Sequence, residues 1–512
     1  MIASEHAHGR TFWDCTSPAS GERIGQIEVM GRNRVTQAVE RARHAQRAWC
    51  ELPIKERAQR VLGFCDVLIE NAEELVDLLV LETSKPRLEA ISNEILVLAD
   101  LIHWHATHAA DILKPREERL HLLKHRKSTI SYVPRGLVAV ISPWNYPLML
   151  PFSDVTLAAL AGNGIVLKPS EHASLVALKA KELWDVSNMP ADLLQVVTGG
   201  AETASLLLNA GVQKVSFTGS VDVGRKVAEQ CAKNLVECVL ELGGKAPMIV
   251  CADADLERAA RAITWGGFAN MGQACVSVER VFAHTAIYEP LLERTRELVL
   301  GLRQGAPEDV DIDVGALVLE RRIAQLEALV ADAVEKGATV MTGGTRLARP
   351  GNFFSPTLLK DCSPEMRVMQ EEVFGPLVPI MRVDTDDEAI KIANSLPFGL
   401  SSYVFSKNTK HAEAIAGRLE AGSVVINDVH SDIATPEVPF GGIKLSGYGK
   451  VHGIEGLRSM CYTKHISVNR TPLPGRSPFW FPYNTKDIPR ALAGMRLLFT
   501  RHGPFGRLSR WL

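Results

Sequence analysis

The sequence predicts an α/β protein with two domains, each built on a mostly parallel sheet covered by helices. Two observations predict this. From Ser128 to Val250, apolar strand-like runs and glycine-rich turns alternate with amphipathic helical stretches. A second alternating series follows Gly243. Length sets the scale, since 512 residues suffice for two or three domains with sizeable cores. Hydrophobic residues at 46% and charged residues at 23% match a soluble globular enzyme. A net charge of −2 leaves no global field to recruit nucleic acid or an acidic membrane.

Taken in order, residues 17–30 read as a turn and a short strand, punctuated by Gly21 and Gly25. From Asn33 the period becomes helical, with Val35, Ala38, Val39, Ala42, Ala45 and Trp49 on one face and Pro53 as the stop. Amphipathic helices are expected over 55–71 and 72–82, then one long helix over 88–113 with Ile91, Ile95, Leu98, Ile102 and His105 inward. Strands follow at 138–141, 164–168, 194–198, 214–217, 236–241 and 248–250, with helices near 153–161, 172–187, 202–210 and 222–234 between them. The second series places helices at 255–268, 287–302 and 320–336. Its strands fall near 279–284, 338–342, 377–382, 401–406 and 423–427. No repeat or flexible linker separates the two, so the joint is placed at Leu242-Gly243.

The nine cysteines form no CxxC pair, and their number is odd. That argues for a reducing compartment and against a disulfide framework or a structural zinc site. The N-terminal stretch lacks the basic and apolar regions of a signal peptide, and no apolar run reaches the roughly 18 residues of a transmembrane span. A soluble, cytoplasmic protein is expected. The histidines at 103, 105, 108 and 121 do not form a ligand set, because only His105 and His108 share a helical face and no Cys, Asp or Glu completes them. No metal is expected.

Five stretches carry chemistry. Cys275 follows the flexible pair Gly272-Gln273, and Glu241 lies upstream in ELGGK. A thiol becomes a nucleophile when a base or an electropositive pocket removes its proton, and a carboxylate supplies such a base. Alone, a cysteine in an apolar setting also reads as core filler. PWNYP, Pro143 to Pro147, pins Asn145 at a strand end, where its amide can donate to an oxyanion. A plain proline turn is the alternative. KPSE sets Lys168 and Glu171 at the next strand end, where a carboxylate can accept both hydroxyls of an adenine ribose and so favours NAD over NADP. A solvated helix start is the alternative there. FTGSVDVG brings Gly219 and Gly224 to a helix entry, where free N–H groups favour a phosphate. An empty strand-to-helix turn reads the same way.

PWNYP, KPSE, FTGS, ELGGK, GQAC, EEVFGP and PFGGIKLSG, in that order, resemble the aldehyde dehydrogenase superfamily from about residue 12 to about 465. The resemblance implies two Rossmann-like domains, a small β oligomerisation arm and a C-terminal extension. It puts the NAD-binding domain at 1–113 and 134–242, the catalytic domain at 243–445, the arm at 114–133 and 460–475, and the extension at 476–512. It implies Cys275 as nucleophile, Asn145 with the Cys275 N–H as oxyanion hole, and Glu241 as the base that activates water. Trp144, Lys168, Glu171, Gly219, Ser220, Gly224 and Leu242 match cofactor-contact positions, and Glu372 and Phe374 match the groups that hold the nicotinamide ribose and ring. The implied activity is oxidation of an aldehyde to an acid through a thiohemiacetal and a thioester, with NAD, or NADP, as hydride acceptor. The presence of Glu241 separates the chain from CoA-acylating relatives.

The implied partners are a small aldehyde and further copies of the chain, as a homodimer or homotetramer. Tyr146, Leu150 and Phe152 suggest an apolar tunnel for an aliphatic or aromatic aldehyde. A succinate-semialdehyde-type enzyme is the alternative, although no arginine for its carboxylate is identified. A catalytically silent structural protein is the alternative of another class, and the presence of Cys275 and Glu241 argues against it. Three departures stand out: Ser277 where some succinate-semialdehyde enzymes have a second cysteine, Asp154 where many members have Lys, and Lys450-Val451 after KLSGYG. The second argues against a proton-relay role at that position. The tail from Arg476 carries seven Lys/Arg against one acid, interleaved with Phe479, Trp480, Phe481, Leu497, Leu498, Phe499 and Trp511. Such a tail suits packing on its own domain or a neighbouring subunit, or peripheral contact with a membrane surface.

Overall fold

A computed structural model describes residues 3–6, 10–306, 309, 311–470 and 480–501 of the chain. Two compact units are present: Met1–Lys114 with Tyr132–Thr463, and Pro115–Ser131 with Lys464–Leu512.

The larger unit holds two main sheets. The first orders its strands Gly447–Tyr448, Glu237–Glu241, Lys214–Thr218, Leu137–Ile141, Gly164–Lys168 and Leu194–Val196. Only Gly447–Tyr448 runs antiparallel to its neighbour. Leu137–Ile141 and Gly164–Lys168 are buried throughout, because helices cover both faces, and this is why they read as unbroken apolar runs. Leu137–Ile141 and Lys214–Thr218 are neighbours, yet the strands that follow each lie on opposite sides. Their carboxyl ends therefore open onto a crevice at a topological switch point. PWNYP leaves one strand there, and Gly219-Ser220 leaves the other.

The second sheet orders Thr339–Thr342, Thr357–Lys360, Leu377–Val383, Val278–His284, Ala246–Val250, Ser401–Phe405 and Ser423–Ile426. All pairs are parallel except the first. Strand Thr357–Lys360 went unread because it is four residues long and follows Pro356, a turn signal. Arg10–Thr16 also went unread; its partner Arg23–Glu28 is the short strand expected within 17–30.

Helix Arg32–Trp49 buries Val35, Ala38, Val39, Ala42 and Trp49, as its period required. The expected single helix over 88–113 is instead Arg87–Glu89, a π-helical stretch Ala90–Leu96, and Val97–Ile112. The wider π turn shifts the register by about one residue. Ile91, expected inward, is therefore 47% exposed, and Ala90 and Glu94 are buried in its place. Helix Met149–Leu160 starts four residues before the expected 153. Pro151 sits in its first turn, where a missing N–H costs nothing, and the Glu94 carboxylate accepts from the Leu148 and Met149 N–H groups at 3.1 and 2.8 Å.

The smaller unit carries most of a sheet ordered Cys461–Asn469, Arg126–Pro134 and Arg116–Glu118, with Ser128 Oγ and His465 Nε2 hydrogen-bonded at 2.6 Å. Its helix Asp487–Phe499 has no buried residue. Phe479 and Trp511, named among the tail aromatics, lie outside the described residues, as do 471–478, 502–510 and Leu512. Among the described residues no helix is long and apolar enough to cross a membrane, and all nine cysteines are free thiols.

Candidate active site

Cys275 lies in the connection from helix Leu256–Phe268 to strand Val278–His284. Just before it the backbone enters the left-handed region at three consecutive residues: Asn270 (φ 50°), Met271 (φ 58°) and Gly272 (φ 66°). Each non-glycine residue in that region costs about 1–2 kcal/mol, so the turn persists only because its surroundings hold it. The Asn270 N–H donates to Glu89 at 2.8 Å. Its side-chain amide donates to the Asn145 carbonyl at 3.0 Å. Gly272 is required as well as permitted, since a Cβ there would stand 2.2 Å from the Gly375 carbonyl oxygen. The Gly272-Gln273 pair is not flexible. Gln273 is fully buried, donates to the Asn270 carbonyl at 2.9 Å and accepts from Val318 N–H at 3.0 Å.

The PWNYP turn is anchored to the same loop. Asn145 Nδ2 donates to the Gln273 carbonyl at 3.0 Å, which leaves its second N–H for another acceptor. Its own carbonyl also accepts from Lys85 Nζ at 2.9 Å. Lys85 is buried, pairs with Glu94, and lies 4.4 Å from the centre of the Tyr146 ring. Glu94 in turn grips the start of helix Met149–Leu160. Lys85, Glu89, Glu94 and Asn270 were missed by the sequence reading. For Glu89 and Glu94 the signal available was an ionisable residue on a helical stretch, which by itself resembles a solvated edge; Lys85 and Asn270 lie outside regular helix and carried no such signal.

Two cavities meet at Cys275. One is small, about 20 Å³, and includes Glu241, Asp154, Thr218, Leu242 and His452 in its wall. The other is open, about 290 Å³, and is lined chiefly by Tyr146, Met149, Leu150, Trp265, Val429 and Ile433. Its ionisable lining groups besides Cys275 and Tyr146 are Asp428 and His430; no Arg or Lys is among them. Phe152, expected in this lining, is instead fully buried in the core, 6.0 Å from the Phe64 ring. It points away because its helix begins early and turns that face inward.

Burial pushes the Cys275 thiol up, and the charges of Glu241, Glu372 and Asp432 push it further. Glu241 ends strand Glu237–Glu241, is buried, and has no hydrogen-bond partner on either carboxylate oxygen among the described residues. Burial lifts it well above the ordinary carboxyl range; Asp154 adds to the rise and Lys450 opposes it. The pocket thus holds both groups toward their neutral forms.

The positions matched to a cofactor cluster around the switch-point crevice. Lys168 ends strand Gly164–Lys168, donates to the Pro169 and Gly199 carbonyls at 2.7 Å each, and lies 3.5 Å from the half-buried Glu171. Ser220 caps helix Val221–Lys233 and is itself exposed. The Gly219 N–H donates to the Glu241 carbonyl at 3.0 Å, joining that turn to the carboxylate strand. Gly224 serves packing, because a Cβ there would come within 2.5 Å of Leu242. Trp144 meets Phe374 edge-to-face at 5.5 Å. Glu372 accepts from Gly244 N–H at 3.0 Å, and burial followed by the Glu279 charge raises it to about 7. Phe374 is held at φ 46° by its N–H bond to Glu279 at 2.8 Å.

Donors from Lys168, acceptors from Glu171, a capped helix start and a pair of aromatic rings fit a dinucleotide. The four histidines stay apart from any ligand group: His105 and His108 each bond a carbonyl one helical turn back. Elsewhere Cys251, Asp386 and His411 have ligand atoms within 4.8 Å of one another, with His411 Nε2 and Asp386 bonded at 2.7 Å.

Residues 4–466 match the model of the aldehyde dehydrogenase family. A 4,4'-diapolycopene aldehyde oxidase of Methylomonas sp is 38% identical over 91% of this chain and 88% of its own. The succinate-semialdehyde dehydrogenase (NADP+) GabD of Escherichia coli K12 is 36% identical over 89% of this chain and 94% of its own. Among solved structures, an NAD-dependent aldehyde dehydrogenase from Sinorhizobium meliloti superposes with a TM-score of 0.87 at 34% identity, covering 92% of this chain and 93% of that one.

Proposed function

We propose a function from one premise: this chain belongs to the aldehyde dehydrogenase family. The reading is an NAD(P)-dependent oxidation of an apolar aldehyde to its acid, with Cys275 as nucleophile. One observation carries it. Cys275 stands where a larger apolar cavity meets a small one lined by Glu241, beside an amide fixed by its bond to Gln273.

Bound NAD(P)+ supplies the acceptor for the hydride. The chain's own residues do the rest. Cys275 adds to the carbonyl carbon, and the second N–H of Asn145 meets the oxyanion. Trp144, Lys168, Glu171, Gly219, Ser220, Gly224, Leu242, Glu372 and Phe374 form the cofactor side of the site. After hydride loss the acyl group is a thioester on Cys275. Glu241 then takes a proton from the water that attacks it. The pairing of Lys168 with Glu171 favours NAD, because a carboxylate there repels a 2′-phosphate.

The two relatives' names point to different substrates. Succinate semialdehyde carries a carboxylate, and the open cavity offers it Asp428 and no Arg or Lys. The lining therefore favours an apolar aldehyde. NADH and NADPH formation by the purified chain with hexanal, benzaldehyde and succinate semialdehyde tests this. A higher kcat/KM for succinate semialdehyde overturns the substrate; turnover with none of them favours a silent structural protein.

Strand Cys461–Asn469 is the edge of its sheet, with Ile466 and Val468 exposed, and such an edge suits pairing with another copy in a homodimer or homotetramer. The tail also suits a membrane surface. Ile488, Leu492, Met495 and Leu497 are exposed beside Lys486, Arg490, Arg496 and Arg501. Sedimentation with anionic vesicles, compared with neutral ones, tests a cytoplasmic enzyme with peripheral attachment; equal recovery in the supernatant overturns the attachment.

A further inference from the structure

The second sheet has a switch point of its own. Strands Ala246–Val250 and Ser401–Phe405 are parallel neighbours. The chain goes from the first to Val278–His284 on one side, and from the second to Ser423–Ile426 on the other. Their carboxyl ends therefore open onto a crevice, and such crevices are where α/β sheets take ligands. This one lies at the far end of the strands from Cys275, which precedes the amino end of Val278–His284.

Three different donor groups converge there. Cys251 follows directly on Ala246–Val250, and its N–H donates to the Phe405 carbonyl at 2.9 Å, so it sits at the switch point itself. Asp386 opens helix Asp386–Asn394, and His411 lies in the first turn of helix Thr409–Ala416. The Cys251 sulfur, an Asp386 oxygen and a His411 ring nitrogen all lie within 4.8 Å of one another, with His411 Nε2 and Asp386 bonded at 2.7 Å. Ligand atoms around a tetrahedral zinc stand about 3.3–3.6 Å apart, and small side-chain rotations reach that spacing from these separations. The cluster is fastened from behind. Asp253 accepts from Ser406 Oγ at 2.8 Å and from Asn408 N–H at 3.1 Å, and Asn408 Oδ1 accepts from His411 N–H at 3.2 Å. Cys251 is buried, whereas a surface cavity of about 360 Å³ reaches Asp386 and His411 and gives an ion a way in.

We propose that Cys251, Asp386 and His411 bind one zinc-class transition-metal ion at this second switch point, with water as the fourth ligand. Thiolate and imidazole together select such an ion over Mg2+ or Ca2+, which take oxygen ligands. Burial and the charges of Asp386 and Asp253 keep the Cys251 thiol protonated in the free chain. A divalent cation placed among the same charges reverses that balance, and the thiol proton leaves to solvent. The thiolate and the Asp386 carboxylate then neutralise the ion. Arg418 shares the cavity wall, but its charge is held by Asp387 at 2.7 Å. None of the three ligands lines either cavity at Cys275, so the site stands independently of the activity proposed above. No CxxC pair marks it, because its ligands come from three separate elements.

The test titrates the full chain with Co2+ and follows thiolate-to-cobalt charge-transfer absorption. The wild-type chain should bind about one Co2+ with such a band, and Zn2+ should displace it. Cys251→Ser should lose the band. His411→Ala should weaken binding by about a hundredfold or more, since even the groups that only orient a ligand are worth 10–100-fold. Cys275→Ala should keep the band in full. Absence of the band in the wild-type chain overturns the proposal. So does a band that survives Cys251→Ser or vanishes in Cys275→Ala, because the thiolate then comes from another of the nine cysteines. Displacement of Co2+ by an equal excess of Mg2+ or Ca2+ overturns the choice of ion. Should Cys251→Ser not fold, His411→Ala decides, since that side chain is 44% exposed; an unchanged Kd there overturns the site.

Discussion

The two sides of Cys275 are built on opposite terms. On the amide side, Asn145, Asn270 and Gln273 bond one another, and Lys85, Glu89 and Glu94 fasten them to the helical layer. On the carboxylate side, neither oxygen of Glu241 makes a hydrogen bond of ordinary geometry among the described residues, and Asp154 has one oxygen tied and one loose. The difference fits the roles proposed for Asn145 and Glu241. An oxyanion donor works by being already in place, so its position is fixed at the expense of strain elsewhere. A proton carrier must change charge, and every fixed hydrogen bond would favour one charge state over the other.

Four substitutions break or sharpen that contrast. Cys275→Ala should abolish aldehyde oxidation, by roughly 10³-fold or more, while NAD binding by calorimetry persists. Residual turnover above a few per cent would place the nucleophile elsewhere. Glu241→Gln should lower steady-state turnover by about 10²–10⁴-fold while a single turnover of NADH survives. If both fall together, Glu241 also serves the first step, and the division between the two sides weakens.

Breaking the amide side should register as stability. Glu94→Ala leaves Lys85 buried and unpaired and should cost about 3–5 kcal/mol in urea unfolding. The smallest effect concerns pH. Burial raises Glu89 from 4.5 to about 7, with its bond from Asn270 N–H opposing the rise. A carboxyl raised on folding binds its proton more tightly in the fold, so its contribution is complete below about 4.5 and is lost as pH climbs through about 7. Glu89→Gln should flatten that part of the Tm–pH curve. An unchanged slope would mean that folding does not raise the Glu89 carboxyl.

Much of this was legible before any coordinates. Apolar runs such as Leu137–Ile141 announce strands covered on both faces, and the period of Arg32–Trp49 announces its buried face, because backbone geometry imposes those repeats directly. PWNYP, ELGGK and GQAC each place a chemically capable residue next to residues that restrict the backbone, so Asn145, Glu241 and Cys275 could be nominated from local sequence. The fastening network could not. Glu94 reaches Met149 across 55 positions, and Glu89 reaches Asn270 across 181. A π turn decides that Glu94 rather than Ile91 faces inward. No local pattern encodes such a pairing.

The sequence by itself therefore determined the class of the fold, the family and the residues able to do chemistry, since these depend on short-range periodicity and on side chains named in order. Tertiary structure alone decided which of those residues share a cavity and which polar atoms are left without partners. It also decided that Asp154 stands beside Glu241 while Phe152, two residues away, is lost to the core. The physical reason is that burial and electrostatic coupling depend on distance in space, and folding brings together groups that the chain order keeps apart.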